Sequence, residues 1–177
     1  MSSLRLRGGR VIDPINGVDA VRDLGVRDGR IVELQAHEAV GEAIDASGCV
    51  VMAGGIDMHT HIGGGKVNLA RMLLPEDHRL NRDPIALPTN PLELASCGHC
   101  APGTLATGYR YAEMGYTAAF EPAMVAGNAR HAHMEMGDVP ILDHGAYVML
   151  GNDELFLRLL HKNAGHEALR DYVGYMV

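Results

Sequence analysis

The sequence lacks an excess of positive charge, long apolar runs and an export signal. Its 15 lysines and arginines are outnumbered by 22 aspartates and glutamates, which gives a formal net charge of −7. Such a chain does not attract nucleic acid through general electrostatics, because phosphate binding needs clustered cations. No run approaches the roughly 18 apolar residues that a membrane span requires, and residues 1–10 carry cations without an apolar segment behind them. We therefore expect a cytoplasmic protein without a nucleic-acid partner or a membrane span.

Cysteine is also scarce. Three cysteines, an odd number in a chain without export features, fit a reducing compartment better than a disulfide framework. Two of them form the motif Cys97-Gly98-His99-Cys100, a spacing found in redox pairs and in half zinc sites. This motif lies in a proline-flanked loop, and no second motif of its kind accompanies it. An ordinary loop with two thiols is the favoured interpretation, and a zinc or redox site is the alternative.

The composition supports a globular fold with a β-rich beginning. Of the 177 residues 47% are apolar, and the ten histidines favour metal chemistry without locating it. Residues 1–52 alternate short β-rich runs with turns such as Asn16-Gly17 and Asp28-Gly29, which predicts a small antiparallel β module. The apolar run at 49–52, which leads into Gly54-Gly55-Ile56, predicts a strand buried on both faces.

From residue 53 to residue 177 the pattern predicts strands that alternate with helices. Periodicity and caps predict a helix over 104–115, a strand over 117–120, a helix over 128–136, a strand near 146–150, and a helix capped by Asn152 or Asp153. Repeated βα units favour an α/β fold with a parallel sheet, either open or closed into a (β/α)8 TIM-like barrel. Residues 63–102, rich in glycine and proline and with two or three weak helical patches, are expected to form a long functional loop.

The predicted barrel is incomplete in this chain. About three βα strands are recognisable, whereas a barrel of this class needs eight strands and about 250 residues. An apolar stripe at helical spacing over 169–176 reaches the last residue without a cap or a polar tail. We therefore expect that the natural protein is longer.

The strongest chemical signal is Asp57-Met58-His59-Thr60-His61, at the end of the predicted buried strand. Alternate residues of a strand face the same side, so His59 and His61 are predicted to bind one metal ion at the carboxyl ends of the strands. The carboxylate of Asp57 is expected to orient one of these ligands. A structural histidine pair is the alternative interpretation.

Two further motifs are weaker. His131-Ala132-His133 lies in a predicted helix, where residues two apart point in nearly opposite directions, so packing or surface roles are favoured over substrate contact. Gly63-Gly64-Gly65-Lys66 lacks the spacing of a nucleotide-binding P-loop. Its place after the histidine pair makes Lys66, Asn68 and Arg71 candidates for contact with an anionic substrate group, with solvated loop charges as an equal alternative.

Several motifs together resemble known families. Ile-Asp-Ala-Ser-Gly at 44–48 and Gly-Gly-Ile-Asp-Met-His-Thr-His at 54–61 resemble the opening of the amidohydrolase superfamily, which includes dihydroorotases and hydantoinases. A narrower resemblance, to the A-type subunit of formylmethanofuran dehydrogenase and of the related formyltransferase/hydrolase complex, rests on segments at 63–71, 74–77, 107–117, 121–124, 129–133 and 150–153. The resemblance spans nearly the whole chain, and Ala53, where relatives often have proline, is a modest departure.

The resemblance implies a function and a set of partners. It implies an amidohydrolase barrel with two zinc ions, flanked by a composite β module to which residues 1–52 contribute. Such a protein interconverts formylmethanofuran with formate plus methanofuran, in a complex with other subunits. His59 and His61 would be the first two zinc ligands, and the remaining ligands, a carboxylated lysine, two histidines and an aspartate, would come from later strands. We therefore expect negligible activity from this chain alone, since catalytic zinc usually takes three protein ligands.

Two alternatives stay open. One is another cyclic-amide hydrolase of the same superfamily, similar to hydantoinase or dihydroorotase. The other is a non-catalytic scaffold that contributes a subunit interface to an oxidoreductase complex.

Overall fold

The computed structural model describes residues 3–35, 38–75 and 102–176. The chain divides into two compact units, Met1–Ala53 and Gly54–Val177. The boundary predicted after residue 52 lies one residue before this division. The motif that contains Cys97 and Cys100, and most of the predicted long loop, lie outside the described residues.

The first unit is a five-stranded sheet. Its strands are β1 Ser3–Asp13, β2 Val18–Arg27, β3 Arg30–Val32, β4 Glu42–Asp45 and β5 Val50–Met52. The predicted hairpin at Asp28-Gly29 is confirmed: Arg27 pairs with Arg30, and the two residues between them have φ of 49° and 74°. Positive φ at both central positions matches the right-handed twist of the flanking strands.

The prediction of an antiparallel module is wrong for two of its strands. β2 pairs with β1, and β3 with β2, in antiparallel fashion, but β4 and β5 both run parallel to β1. They occupy one edge of β1 in turn, with β4 beside Leu4–Arg7 and β5 beside Arg10–Ile12. After two reversals β3 runs in the direction of β1, and β4 runs in that direction too.

The prediction of one strand buried on both faces, starting at residue 49, is also wrong. The apolar run is divided between β5 in the first unit and β6, Gly55–Asp57, in the second. The side chains of Val50 and Met52 are 53% and 65% exposed. A strand is buried on both faces where helices cover the sheet, and the described residues of the first unit contain no helix.

The second unit alternates strands with helices. In chain order its elements are β6, α1 Gly65–Leu73, α2 Thr104–Glu113, β7 Tyr116–Met124, a 3-10 turn Ala126–Asn128, α3 Ala129–Met136, β8 Asp143–Val148, a 3-10 turn Leu150–Asn152, α4 Glu154–His161 and α5 His166–Met176. The predicted helices over 104–115 and 128–136 are confirmed, and so is the predicted strand over 117–120 within β7. The strand predicted near 146–150 starts at Asp143 and ends at Val148.

Helix α4 begins at a predicted cap. Asp153 caps α4, because its Oδ1 accepts a hydrogen bond of 2.8 Å from the backbone N–H of Phe156. This confirms one of the two predicted caps. Helix α1 lies near the start of the segment 63–102, for which the sequence predicts a long loop with weak helical patches.

The strands of the second unit form a parallel sheet, as predicted, and their order is β6-β7-β8. A buried core packs beside it, formed by Ile62, Ala119, Met136, Val139 and Leu142. Ala119 comes from the central strand, and Met136 ends α3, so the core joins the sheet to its helices. The structure shows three parallel strands of the second unit and no closed barrel in the part of the chain that it describes.

None of the described helices is long and apolar enough to cross a lipid bilayer.

Candidate metal centre

The two histidines of the central motif lie in the loop that follows β6. The strand ends at Asp57, so His59 and His61 stand beyond it and not on it. The backbone N–H of Thr60 donates to the carbonyl oxygen of Phe120 at 3.0 Å, which holds this loop against β7. The two imidazole centroids are 5.8 Å apart with an interplanar angle of 76°. The carboxyl end of a parallel sheet is where ligands usually bind in α/β folds.

His61 is held by a buried carboxylate. Its Nδ1 lies 2.9 Å from Oε1 of Glu121, a residue of the central strand β7. The Glu121 side chain is 2% exposed, whereas that of His61 is 57% exposed. The carboxylate also accepts from the backbone N–H groups of Ile62 and Ala123, each at 2.9 Å. Three donors thus satisfy a charge that would be costly to bury alone.

Asp57 contacts the backbone of His59, not its ring. Oδ1 of Asp57 accepts from the N–H of His59 at 3.0 Å, and Oδ2 accepts from the hydroxyl of Tyr111 at 3.0 Å. The hydroxyls of Tyr111 and Thr60 are hydrogen-bonded to each other. Burial raises the pKa of Tyr111; Asp57 acts in the same direction, and the bond to Thr60 opposes it. Asp57 therefore shapes the loop through the backbone of His59 and through Tyr111, and its role in orienting a metal ligand stays a prediction.

A cavity of about 560 Å³ opens at the histidine pair. Three of its lining side chains are polar: His59, His61 and Lys66. The other lining residues are Val67, Ala70, Pro102, Pro122, Ala123 and Met149. The ammonium group of Lys66 lies 3.4 Å from the sulfur of Met149. The site therefore combines two imidazoles and one cation with an apolar wall.

The other two candidates for substrate contact, Asn68 and Arg71, are not among the residues that line the cavity. Asn68 Nδ2 donates to Oε2 of Glu135 at 2.7 Å, and the Arg71 guanidinium is paired with the same carboxylate. Arg71 also donates to the carbonyl of Pro102 at 2.9 Å. Glu135 accepts from the N–H of Gly64 at 2.9 Å, so this network fixes the start of α1. Contact of Asn68 or Arg71 with substrate stays a prediction.

The donor set suits a metal ion but is incomplete. Neutral imidazoles are common ligands of zinc, and a catalytic zinc site usually has three protein ligands plus water. In residues 3–35, 38–75 and 102–176 no group of three or more histidine, cysteine, aspartate or glutamate side chains is placed to hold a metal ion. Glu121 is near, but its oxygens already accept three hydrogen bonds. A metal ion at His59 and His61 therefore needs a further ligand.

The second histidine pair lies on a helix, as predicted. His131 and His133 belong to α3 and are exposed, while Ala132 between them is buried. His131 Nδ1 is 3.9 Å from a carboxylate oxygen of Glu135, one turn further along. The two imidazoles point away from a common site, which confirms the preference for a surface role.

Glu121 is the residue of this site that the sequence prediction missed. Its hydrogen-bond partners His61 and Ile62 are about sixty positions away in the chain, so local pattern does not reveal them. A signal was nevertheless present: a single acidic residue stands between Phe120 and Pro122 in an otherwise uncharged strand. A carboxylate in a central strand has to find donors.

The chain matches a known protein family over most of its length. A profile described as the amidohydrolase family matches residues 42–175. The match covers well over half of the chain, and the chain belongs to the amidohydrolase family. Members of this family are generally metal-dependent.

Individual relatives narrow the class. The chain is 43% identical over 169 residues to the A-type subunit of the formyltransferase/hydrolase complex Fhc of Methylorubrum extorquens, a match that covers 96% of this chain and 29% of the relative. It is 40% identical over 173 residues to protein FwdA of Methanocaldococcus jannaschii, with 97% and 29% covered. A dihydroorotase of Citrifermentans bemidjiense is 49% identical over 63 residues, 34% of this chain. The predicted resemblance to the A-type subunits is confirmed.

A solved structure agrees with these similarities. The crystal structure of the FhcABCD complex from Methylorubrum extorquens, determined with methylofuran, matches with a TM-score of 0.78 and 43% identity. The match covers 97% of this chain and 30% of that one. The chain thus spans about three tenths of the length of these relatives.

Proposed function

We propose that this chain supplies the first two metal ligands, His59 and His61, of a zinc-dependent amidohydrolase that interconverts formylmethanofuran with formate plus methanofuran. The observation that carries the proposal is the paired-histidine loop at the carboxyl end of a parallel sheet, with both imidazoles on one cavity. The similarity to the relative from the Fhc complex, at 43% identity over 96% of this chain, supports the substrate class.

The residues of this chain orient and enclose the reacting group. His59 and His61 would hold the metal ion, while the apolar side chains of Val67, Ala70 and Met149, which line the same cavity, limit water there. The exposed ammonium group of Lys66 offers a counter-charge to formate or to an acidic part of the amine substrate. Zinc, when bound, supplies Lewis acidity toward water and the formyl oxygen, which a poor electrophile such as a formamide requires.

The remaining ligands belong to the same proposal. The resemblance places a carboxylated lysine, two histidines and an aspartate on later strands, within an eight-stranded barrel that holds two zinc ions. Since His59 and His61 are too few for a catalytic zinc site, we propose that this chain alone has negligible activity. We further propose that the complete protein is cytoplasmic and works beside other subunits, as its Methylorubrum relative does in the FhcABCD complex.

A paired measurement on the complete protein tests the proposal. Formate release from formylmethanofuran and bound zinc per chain are measured for His59→Ala, His61→Ala and the matched control His131→Ala. We expect both ligand variants to lose zinc and activity, and the control to keep both, because His131 lies on the exposed face of α3. Full zinc content in both ligand variants would refute the assignment.

A second candidate function is hydrolysis of a cyclic amide. It is favoured by the 49% identity to a dihydroorotase over 63 residues. Turnover of dihydroorotate or hydantoin by the complete protein, without formate release from a formylated amine, would decide for this function. A scaffold without catalysis is the remaining alternative. Metal-free protein that still assembles with its partner subunits would support it. A loss of activity in His59→Ala or His61→Ala would oppose it.

A further inference from the structure

We infer that Glu121 is a positioning residue for metal binding: it fixes the imidazole of His61 through Nδ1 and leaves Nε2 as the nitrogen available to the metal ion. The inference rests on the proposed function and deepens it, because it assigns the ligand atom and the residue that selects it.

The carboxylate of Glu121 is held in place by three hydrogen bonds. Glu121 lies in β7 between two neighbouring strands, with its side chain 2% exposed. Its Oε1 accepts from His61 Nδ1 and from the N–H of Ala123, and its Oε2 accepts from the N–H of Ile62, all at 2.9 Å. Two of these donors are backbone groups of packed elements, so the position of Oε1 is fixed before any ligand binds.

The hydrogen bond to Glu121 determines which nitrogen of the His61 imidazole carries the proton. An ionised carboxylate only accepts hydrogen bonds, so the nitrogen that faces it carries the proton. In a neutral imidazole the other nitrogen then holds the free electron pair that a metal ion needs. Carboxylate partners of this kind commonly orient metal-binding histidines. Glu121 thereby selects the tautomer of His61 as well as the orientation of its ring.

The ring of His61 has a carboxylate partner, whereas His59 is held through its backbone. No side chain among the described residues accepts a hydrogen bond from the ring of His59, which packs edge-to-face on the ring of His61. Its backbone N–H is held by Asp57. The tautomer of His61 is therefore predicted to depend on Glu121, and that of His59 is not.

Glu121 is not itself a third metal ligand in this arrangement. Both of its oxygens accept hydrogen bonds from His61, Ala123 or Ile62, so a bond from Glu121 to the metal ion would compete with the contacts that hold His61. No cluster of three potential ligands exists at the site among the described residues. The residue thus acts through His61, and its removal is expected to weaken metal binding without removing a ligand.

The test reads the tautomer directly in the metal-free protein. Long-range proton–nitrogen NMR spectra of the 15N-histidine-labelled protein are recorded at a pH of about 8, above the ordinary histidine pKa of about 6.5. His61→Gln assigns the signal. We expect the Nδ1–H tautomer for His61 in the wild type, an exchanging mixture in Glu121→Ala, and an unchanged His59 signal. An Nε2–H tautomer, or a mixture, at His61 of the wild type would overturn the inference without any variant.

Two further variants separate positioning from general stability. Glu121→Gln keeps one oxygen that can accept from His61 and Ala123, but its NH2 group then faces the N–H of Ile62. We therefore expect a preference for the Nδ1–H tautomer that is weaker than in the wild type and stronger than in Glu121→Ala. Glu135→Gln removes a different partly buried carboxylate, which does not touch His61, and is expected to leave that tautomer unchanged. A shift of the His61 tautomer in Glu135→Gln equal to that in Glu121→Ala would contradict a specific role.

Zinc titration of the same proteins completes the test. Loss of a carboxylate that orients a ligand typically weakens metal affinity by about 10–100-fold, and we expect this for Glu121→Ala, with partial rescue in Glu121→Gln. Equal zinc affinity in the wild type and in Glu121→Ala would overturn the inference and leave the proposed function standing. The two measurements can also disagree. If Glu121→Ala releases a fixed tautomer of His61 but the wild type binds no zinc, Glu121 orients His61 and the proposed metal site is refuted.

Discussion

The hydroxyl of Tyr111 donates a hydrogen bond of 3.0 Å to Oδ2 of Asp57, and so joins helix α2 to the end of strand β6. The same hydroxyl is hydrogen-bonded to Thr60, which lies between the two histidines. The loop that carries His59 and His61 is thus held by Tyr111 from the helix side and by Glu121 from the strand side.

Removal of the Tyr111 hydroxyl is expected to loosen this loop. Tyr111→Phe deletes one hydrogen bond to a carboxylate and one to Thr60, and we expect a loss of about 1–3 kcal/mol in the free energy of unfolding. Urea denaturation followed by circular dichroism measures it. The control is Tyr109→Phe on the same helix, since the Tyr109 hydroxyl makes no hydrogen bond within the described part of the chain. Equal losses in the two variants would mean that the bonds to Asp57 and Thr60 contribute nothing.

The pair of Arg71 and Glu135 is expected to contribute more than a surface ion pair. Both side chains are 14% exposed, and each also binds other groups of the network. Removing one partner leaves a largely buried charge, so Arg71→Met is expected to cost about 3 kcal/mol.

The matched control is the pair of Arg158 and Glu154 on α4, whose side chains are 69% and 78% exposed. Arg158→Met is expected to change stability by less than about 1 kcal/mol. A double-mutant cycle with Glu135→Gln gives the coupling energy of the buried pair. A coupling energy no larger than that of the Arg158–Glu154 pair, measured in the same way with Glu154→Gln, would show that burial adds nothing to the Arg71–Glu135 pair.

Local pattern is enough to predict several features of the second unit. The helical spacing of Leu105, Tyr109 and Ala112 predicts α2, and Asp153 is a predicted cap because short acidic side chains accept from free N–H groups. Alternation along a strand predicts that His59 and His61 bind one metal ion, and this stays a prediction. Both side chains line one cavity, although the strand ends at Asp57 and the histidines lie in the loop that follows it.

Long-range relationships are out of reach of local pattern. The parallel pairing of β4 and β5 with β1 depends on which edge of β1 is free after β2 has paired, and no local sequence feature encodes that choice. The exposure of Val50 and Met52 depends on the absence of a covering layer among the described residues of the first unit. The partnership of His61 with Glu121 joins residues on different elements, so neither residue alone indicates it.

The core beside the histidine loop is expected to be sensitive to truncation. Ile62 directly follows His61 and is 1% exposed within a cluster that includes Ala119 and Met136. Ile62→Ala leaves a cavity and is expected to cost about 2–5 kcal/mol. Ile15→Ala is the control, because Ile15 is 95% exposed and surface truncations usually change stability by about 0.5 kcal/mol or less. A urea midpoint of Ile62→Ala that coincides with those of Ile15→Ala and the wild type would contradict the assigned core.

The junction of α4 and α5 is expected to depend on pH through Asp153. Its Oδ1 accepts from the N–H of Phe156 at 2.8 Å and from the hydroxyl of Tyr172 at 2.7 Å. The backbone bond to Phe156, and then the bond to Tyr172, lower the pKa of Asp153 in the folded chain. The stabilisation is therefore complete above the unfolded pKa of about 3.9 and is lost as the pH falls through the lower folded value.

The variant Asp153→Asn isolates this effect, because asparagine caps a helix without titrating. We expect the melting temperature of the wild type to exceed that of Asp153→Asn near neutral pH, where the ionised carboxylate accepts both bonds, and the difference to shrink as the pH falls below about 4. Asp153→Ala removes the cap and should lower the melting temperature at every pH. A wild-type advantage over Asp153→Asn that stays constant down to pH values well below the folded pKa would show that the carboxylate charge has no part in holding α4 against Tyr172.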